Sequence, residues 1–169
     1  MLNYLLVDQT SFIKIKYIPF FENHILLIQN TSKSVYILLR NGTILQINQE
    51  TFEDDANIEI ETFFLPIIVK IQVKIIDLSC GNDHCLALGT YNKVFSWGSD
   101  SFGQLGLPDF YLGSHERKDD PTEISIRHFH KSKKIIRIYA RNNSSFAIAE
   151  NNYVYGWGMV INYIFKLNL

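Results

Sequence analysis

KIIDLSCGNDHCLALGTYNKVFSWG (Lys74–Gly98) is matched sixty residues later, without a gap, by KIIRIYARNNSSFAIAENNYVYGWG (Lys134–Gly158). A weaker copy, HILLIQNTSKSVYILLRNGTILQIN (His24–Asn48), lies fifty residues upstream and shares the apolar pattern more than the identities. Repeats of roughly 40–60 residues made of short apolar runs are typical of propellers and related arrays. The repetition therefore predicts an all-β array of about three blades. The positions identical in the two stronger copies are Lys74/Lys134, Ile75/Ile135, Ile76/Ile136, Asn82/Asn142, Ala87/Ala147, Asn92/Asn152, Val94/Val154, Trp97/Trp157 and Gly98/Gly158.

Each copy is predicted to hold short strands separated by turns. Ile76, Leu78 and Cys80 alternate with polar residues, a period of two that indicates a half-buried strand. Gly81–Asp83 then supplies residue types that favour a turn. The small side chains of Ala87 and Ala147 predict a crowded position. Further strands are predicted over Cys85–Leu88, Lys93–Trp97, Ile135–Tyr139, Ser145–Ala149 and Tyr153–Trp157.

The repeat boundaries are predicted at about 17–62, 63–119 and 120–169, within a single domain. Leu65–Ile67 and the segment that begins at Pro121 are expected to be the leading strands of the second and third repeats. The polar connections, which include Gln49–Glu61 and Tyr111–Asp120, are expected to be solvent loops. The apolar tail Met159–Leu169 leaves open whether a further strand follows.

Composition excludes few functions but sets the expected environment. The chain has 169 residues, a net charge of −1 and 47% hydrophobic residues, so nothing draws it generally to nucleic acid or to an anionic membrane. Phe63–Ile76, the most apolar stretch, is interrupted by charged and polar residues and is no membrane span. Cys80 and Cys85 make no disulfide framework and are expected to be buried thiols in a reducing compartment. We expect a soluble intracellular protein, cytoplasmic or nuclear.

The sequence predicts no catalytic, cofactor-binding or metal-binding residues. Cys80, His84 and Cys85 lie close together, but zinc requires four ligands and no second ligand pair is evident. Gly103–Gly106 lacks the Lys-Ser/Thr of a phosphate loop, so its glycines are expected to permit a turn, with Leu105 as an apolar plug. No Ser-His-Asp set, paired-carboxylate site or dinucleotide fingerprint is visible.

The segments CGNDHCLAL and VFSWGSDSFGQLGL resemble the repeat of the regulator of chromosome condensation family. This resemblance implies a propeller of about seven four-stranded blades, of which the chain holds about three, so that the ring is incomplete. The third copy departs from the pattern, with Arg141 and Ser144 in place of the glycine and histidine, and the first copy keeps only the apolar skeleton. The residues that carry the resemblance are Gly81, His84, Ala87, Leu88, Val94, Trp97, Gly98, Phe102, Gly103, Gln104, Leu105 and Gly106, with Ala147, Trp157 and Gly158 in the third copy.

Several side chains allow both a structural and a binding interpretation. His84 is either a hydrogen-bonding residue between repeats, which we favour, or a partner contact of the kind that the family resemblance implies. Trp97 and Trp157 are expected to pack between blades rather than to stack on ligands. Possible partner contacts besides His84 are Asp54 and Asp55 in the acidic loop and His128, His130 and Lys131 in the basic cluster.

The favoured hypothesis is a non-catalytic protein-interaction module whose loops, chiefly Gln49–Glu61 and Phe110–Asp120, contact a protein partner. Guanine nucleotide exchange on a small Ran-like GTPase is the alternative that the resemblance implies. A truncated or decayed paralogue without activity is the third. The missing blades are supplied by a longer form of the same protein or by another chain, or else the three repeats pack differently.

Overall fold

The repeated segments form three four-stranded antiparallel sheets in a computed structural model. The model describes residues 4–6, 12–14, 24–48, 67–108, 116–125, 129, 134–150, 152–159 and 164–166. Within them a two-stranded ribbon, β1–β2, precedes the sheets β3–β6, β7–β10 and β11–β14, and in each sheet consecutive strands are neighbours. The strands are β1 (Tyr4–Leu6), β2 (Phe12–Lys14), β3 (Ile25–Asn30), β4 (Ser34–Leu39), β5 (Ile44–Asn48), β6 (Ile67–Val69), β7 (Ile75–Cys80), β8 (His84–Gly89), β9 (Val94–Gly98), β10 (Lys118–Ile124), β11 (Ile135–Arg141), β12 (Ser144–Ala149), β13 (Tyr153–Gly158) and β14 (Ile164–Lys166).

The predicted all-β architecture is confirmed, and the three sheets are a partial propeller. The first strands of the sheets, β3, β7 and β11, lie side by side as the inner strands. We call the end at which these strands begin the leading end; it carries the turns between the second and third strands. The opposite end, which carries the turns after the inner strands, is the trailing end.

Two short strands have a different role from the one that the sequence predicted. β6 and β10, expected to lead the second and third repeats, are hydrogen-bonded as the outer strands of the preceding sheets. A sequence repeat therefore begins on the edge of one sheet and continues as the inner three strands of the next. The last residues of the expected loop Tyr111–Asp120 belong to β10, and β14 lies in the tail that the sequence left open.

A β-bulge near the start of every inner strand corrects the predicted alternation. The cross-strand partners step from Ile75 to Asp77 opposite consecutive residues of β8, so Ile76 is an extra residue. It points outward and is 48% exposed, whereas Ile75 and Leu78 are buried. The bulge recurs at Leu26 and Ile136, which are 46% and 45% exposed. Alternation in the sequence could not reveal this shift because a bulge is defined by the partner strand.

The hydrophobic core lies between the sheets. All six residues of β8 are buried, because its sheet is covered on both faces. Cys85 and Ala87 pack with the first sheet, whereas Leu86 and Leu88 pack with the third. Ala87 and Ala147 are both fully buried, which agrees with the crowded position predicted from their small side chains.

Gly98 and Gly158, the glycines that end the third strands, should tolerate no side chain. Their φ angles are +106° and +101°, and an added Cβ at either one would lie 2.4 Å from a backbone oxygen, that of Asp83 or Asn143. We expect Gly98→Ala and Gly158→Ala each to lower the free energy of unfolding by about 2 to 4 kcal/mol, measured by denaturant titration. Gly89→Ala is the control, since its φ is −101° and its nearest obstacle is a Val73 side chain. Equal losses in all three variants would contradict the backbone argument.

Candidate functional site

Turns at the trailing end join the three sheets through backbone hydrogen bonds. The amide of Ser32 donates to the carbonyl of Asn82 over 2.6 Å, and the amide of Asn82 donates to the carbonyl of Asn142 over 2.9 Å. These residues occupy equivalent positions in the three copies. Gly81 allows this approach, because a Cβ there would lie 2.5 Å from the Asn142 oxygen. Each turn thus fixes the position of the next.

His84 lies at the centre of the junction between the second and third sheets. Its ring is 1% exposed, and Nε2 lies 2.8 Å from the Ser145 hydroxyl oxygen. That hydroxyl donates its single proton to the Gln104 carbonyl over 2.7 Å, so Nε2 of His84 must carry the donated proton. Burial lowers the pKa of His84 to about 4, with Asp83 acting weakly in the opposite direction. His84 is therefore neutral and inaccessible to a partner in this arrangement.

The Gly-Gln-Leu-Gly segment docks the second sheet on the third. Gly103 and Gly106 have φ angles of +73° and +63°, which turn the chain sharply. Leu105 between them is fully buried and donates its amide to the Asp100 carboxylate over 2.8 Å. The Gln104 carbonyl accepts a second hydrogen bond, 2.8 Å, from the indole N–H of Trp157.

Trp97 and Trp157 lie at the two junctions between neighbouring sheets. Trp97 is 2% exposed and meets Tyr36 of the first sheet edge to face, with ring centroids 5.7 Å apart. Trp157 is bonded to the loop of the second sheet and lies beside Phe129. Both rings are thus engaged in packing between sheets, and Trp97 is almost completely buried.

The expectation of two buried thiols is wrong, because Cys80 and Cys85 form a disulfide. They are direct partners across the hairpin of β7 and β8, with Cα atoms 4.1 Å apart. The hydrogen bond from the Gly81 amide to the His84 carbonyl makes the next pair, Cys80 and Cys85, a closely spaced one. Counting the register from a two-residue turn at Asn82 and Asp83 could have placed the sulfurs together. The disulfide also disagrees with the reducing compartment inferred from these cysteines.

The other predicted partner contacts fall largely outside the part of the chain that the structure describes. Asp54 and Asp55, with the rest of Gln49–Glu61, lie outside the described residues, as do His128, His130 and Lys131. Of the loop Phe110–Asp120, only residues 116–120 are described, and all five are exposed. There Arg117 bonds Asp83 over 3.0 Å and Asp119 over 2.7 Å, which ties the start of β10 to the trailing end.

The described part of the chain shows neither a metal site nor a membrane-spanning helix. It contains no group of three or more His, Cys, Asp or Glu side chains placed to hold a metal ion. It also contains no helix long and apolar enough to cross a membrane.

His84 should make stability fall in mild acid. Its pKa is depressed by folding, so the unfolded chain takes up the proton first, and stability present above pH 6.5 is lost as the pH falls toward 4. The full loss amounts to roughly 3 kcal/mol. Denaturant titrations across this range should show the fall in the parent chain and little of it in His84→Gln. Burial raises the pKa of Asp77, so this carboxyl changes the stability in the opposite direction as the pH falls. Its contribution is the same in both proteins and cancels when their pH profiles are compared. An unchanged pH profile in the variant would contradict the assignment.

Reduction of Cys80–Cys85 should destabilise the middle sheet. The disulfide closes a loop of only a few residues, so we expect a loss of about 2 kcal/mol when it is opened. Unfolding should be followed with and without dithiothreitol, and thiol alkylation read by mass spectrometry reports the bond itself. The double variant Cys80→Ser/Cys85→Ser should show no response to dithiothreitol. Alkylation of both cysteines in the untreated folded chain would show that the bond is absent.

Comparison with known proteins identifies the repeat. Two family models, both described as Regulator of chromosome condensation (RCC1) repeat, match residues 75–104 and 91–148. The probable E3 ubiquitin-protein ligase HERC3 of Homo sapiens is 37% identical over 90 residues, which is 52% of this chain and 8% of that protein. The ultraviolet-B receptor UVR8 of Arabidopsis thaliana is 33% identical over 94 residues, 56% of this chain and 20% of that protein. The chain thus spans a fifth or less of these relatives.

A solved structure supports the fold independently. The structure of Prp20p from Saccharomyces cerevisiae, described with its binding properties to Gsp1p and histones, superposes with a TM-score of 0.57 at 20% identity. The match covers 80% of this chain and 33% of the yeast protein. At this identity the likeness concerns the fold alone. The two family models and the signature of the second copy, by contrast, identify residues 75–148 as RCC1 repeats.

Proposed function

We propose that this chain is a non-catalytic protein-interaction module built from RCC1 repeats. The observation that carries the proposal is the continuous set of hydrogen bonds between sheets, from Ser32 through Asn82 to Asn142 and from His84 through Ser145 to Gln104. These bonds hold three sheets in fixed relation, so the turns at both ends are presented on a rigid support. Rigid presentation reduces the entropy lost when a partner binds.

The surfaces expected to contact the partner remain the acidic segment Gln49–Glu61 and the loop Phe110–Asp120. The second of these joins β9 to β10, and the first joins β5 to β6. Both therefore leave the sheets from equivalent places, after the third strand at the trailing end.

The module hypothesis predicts saturable binding that depends on these loops. Partners captured by proximity labelling in cells should be purified and titrated against the full chain by calorimetry. We expect one-to-one binding that needs neither metal nor nucleotide and that weakens about tenfold when residues 49–61 are replaced by a Gly-Ser linker of equal length. Replacement of the turn Asn41–Thr43 by three Gly and Ser residues is the control. Substrate-dependent turnover that survives removal of both loops, or no protein binding by a cooperatively folded chain, would falsify the module hypothesis.

Guanine nucleotide exchange on a Ran-like GTPase is the second candidate. It is favoured by the fold shared with the yeast protein that is described with its binding to Gsp1p. Release of a fluorescent guanine nucleotide from purified Ran-like GTPases should accelerate on addition of the chain if this candidate is right. A rate equal to the spontaneous rate at saturating chain removes it without affecting the module hypothesis.

A further inference from the structure

The turn between β8 and β9 presents an aromatic side chain from an unfavourable backbone conformation. Tyr91 has a φ of +60° and is 87% exposed. Positive φ is disfavoured for a bulky side chain, whereas asparagine tolerates it. Asn41 and Asn151 occupy the equivalent positions of the other two copies. Asparagine at position 91 would adopt this φ at a lower cost than tyrosine does, and strain at an exposed position points to a use for the ring outside the fold.

Hydrogen bonds fix Tyr91 between two lysines. The amide of Thr90, on one side, donates to the carbonyl of Lys74 over 2.9 Å. On the other side the Asn92 side-chain oxygen accepts from the amide of Ile135, the residue after Lys134, over 2.6 Å. Lys74 and Lys134 are equivalent residues of the second and third copies, and both are exposed. Lys74, Tyr91 and Lys134 therefore follow one another in a row across two sheets, with the aromatic residue between the two cationic ones.

Exposed apolar side chains border this row on its inner side. The bulges turn Ile76 and Ile136 outward two residues after each lysine, where they are 48% and 45% exposed. Cations beside outward apolar groups form a mixed surface, which is typical of a protein interface.

The charge on the leading end is one-sided among the described residues. Lys93 is paired with Glu123 at 2.7 Å, whereas neither Lys74 nor Lys134 forms a salt bridge with a residue that the structure describes. At the trailing end, by contrast, Asp83 is shared by Lys33 and Arg117. The exposed charged residues of the leading end that make no salt bridge to a described residue are Arg40, Lys70, Lys74, Lys134 and Glu150.

We propose that the row Lys74–Tyr91–Lys134, with Ile76 and Ile136, is a docking site for an acidic, apolar-anchored segment of a partner protein. Carboxylates of the segment pair with the two lysines, and its apolar side chain packs on Tyr91 and the outward isoleucines. Nucleic acid fits less well, because the chain as a whole has a charge of −1 and the row is bordered by isoleucine rather than by further cations. The site rests on the proposed module function and gives it a partner chemistry.

Fluorescence anisotropy with the full chain tests the site. The probe is a short labelled peptide in which glutamate pairs alternate with single phenylalanines. Two competitors are the same peptide with lysine in place of glutamate and a single-stranded oligothymidylate. We expect micromolar binding of the acidic peptide alone. Lys74→Glu/Lys134→Glu should weaken it about tenfold or more, whereas Lys118→Glu/Arg141→Glu, an equal charge change at the trailing end, should weaken it less than about twofold.

Tyr91→Asn separates binding from folding. Asparagine tolerates the positive φ of position 91 better than tyrosine does, so the melting temperature should stay the same or rise while peptide binding falls about tenfold. Binding that is absent, that is unaffected in the lysine and tyrosine variants, or that favours the oligothymidylate overturns the site. If the acidic peptide fails but a partner still binds in a manner dependent on residues 49–61, the site is wrong and the module function stands. If both fail, both are wrong.

Discussion

The structure depends on the burial of both faces of its middle sheet, which only neighbouring sheets can provide. A four-stranded sheet cannot form a core alone, and β8 shows the requirement directly, since Cys85 and Ala87 face one neighbour while Leu86 and Leu88 face the other. Two apolar faces would allow the sheets to slide. The hydrogen bonds from Ser32 to Asn82 and from Asn82 to Asn142 prevent this, because they fix one relative height for all three sheets.

The second junction is held by a more specific set of contacts than the first. His84, Ser145 and the Gln104 carbonyl form a chain in which each proton has one acceptor, and Trp157 adds a second donor to the same carbonyl. A buried polar chain of this kind defines one arrangement, because any shift leaves a further group unpaired; Nδ1 of His84 already has no hydrogen-bond partner among the described residues. At the equivalent positions the first and third copies carry Ser34 and Ser144. The copies thus share a backbone plan but differ in how firmly each is tied to the next.

Much of the fold could be read from the sequence, since strands and turns depend on local patterns repeated at a fixed spacing. The signature residues Trp97, Gly98 and Leu105 are also explained by their surroundings, which are buried or sterically closed. The features that the sequence did not predict depend on the partner strand. The bulge at Ile76 and the pairing of Cys80 with Cys85 are properties of register, and the placement of β6 and β10 is a property of the sheet. The sequence shows a tyrosine at position 91, but it could not show that this residue has a positive φ.

The two ends of the array place different demands on their residues. At the trailing end, glycines, the disulfide, His84 and the Gly-Gln-Leu-Gly loop are committed to contacts inside the protein, so a change there alters the support itself. At the leading end, Tyr91, Lys74 and Lys134 make their fixed contacts through the backbone or through neighbouring residues, which leaves their side chains unused by the fold. Side chains that the fold does not need can change without loss of the scaffold. The leading-end turns, like the loops that leave the trailing end after the third strand, can therefore vary for recognition while the contacts between sheets stay unchanged.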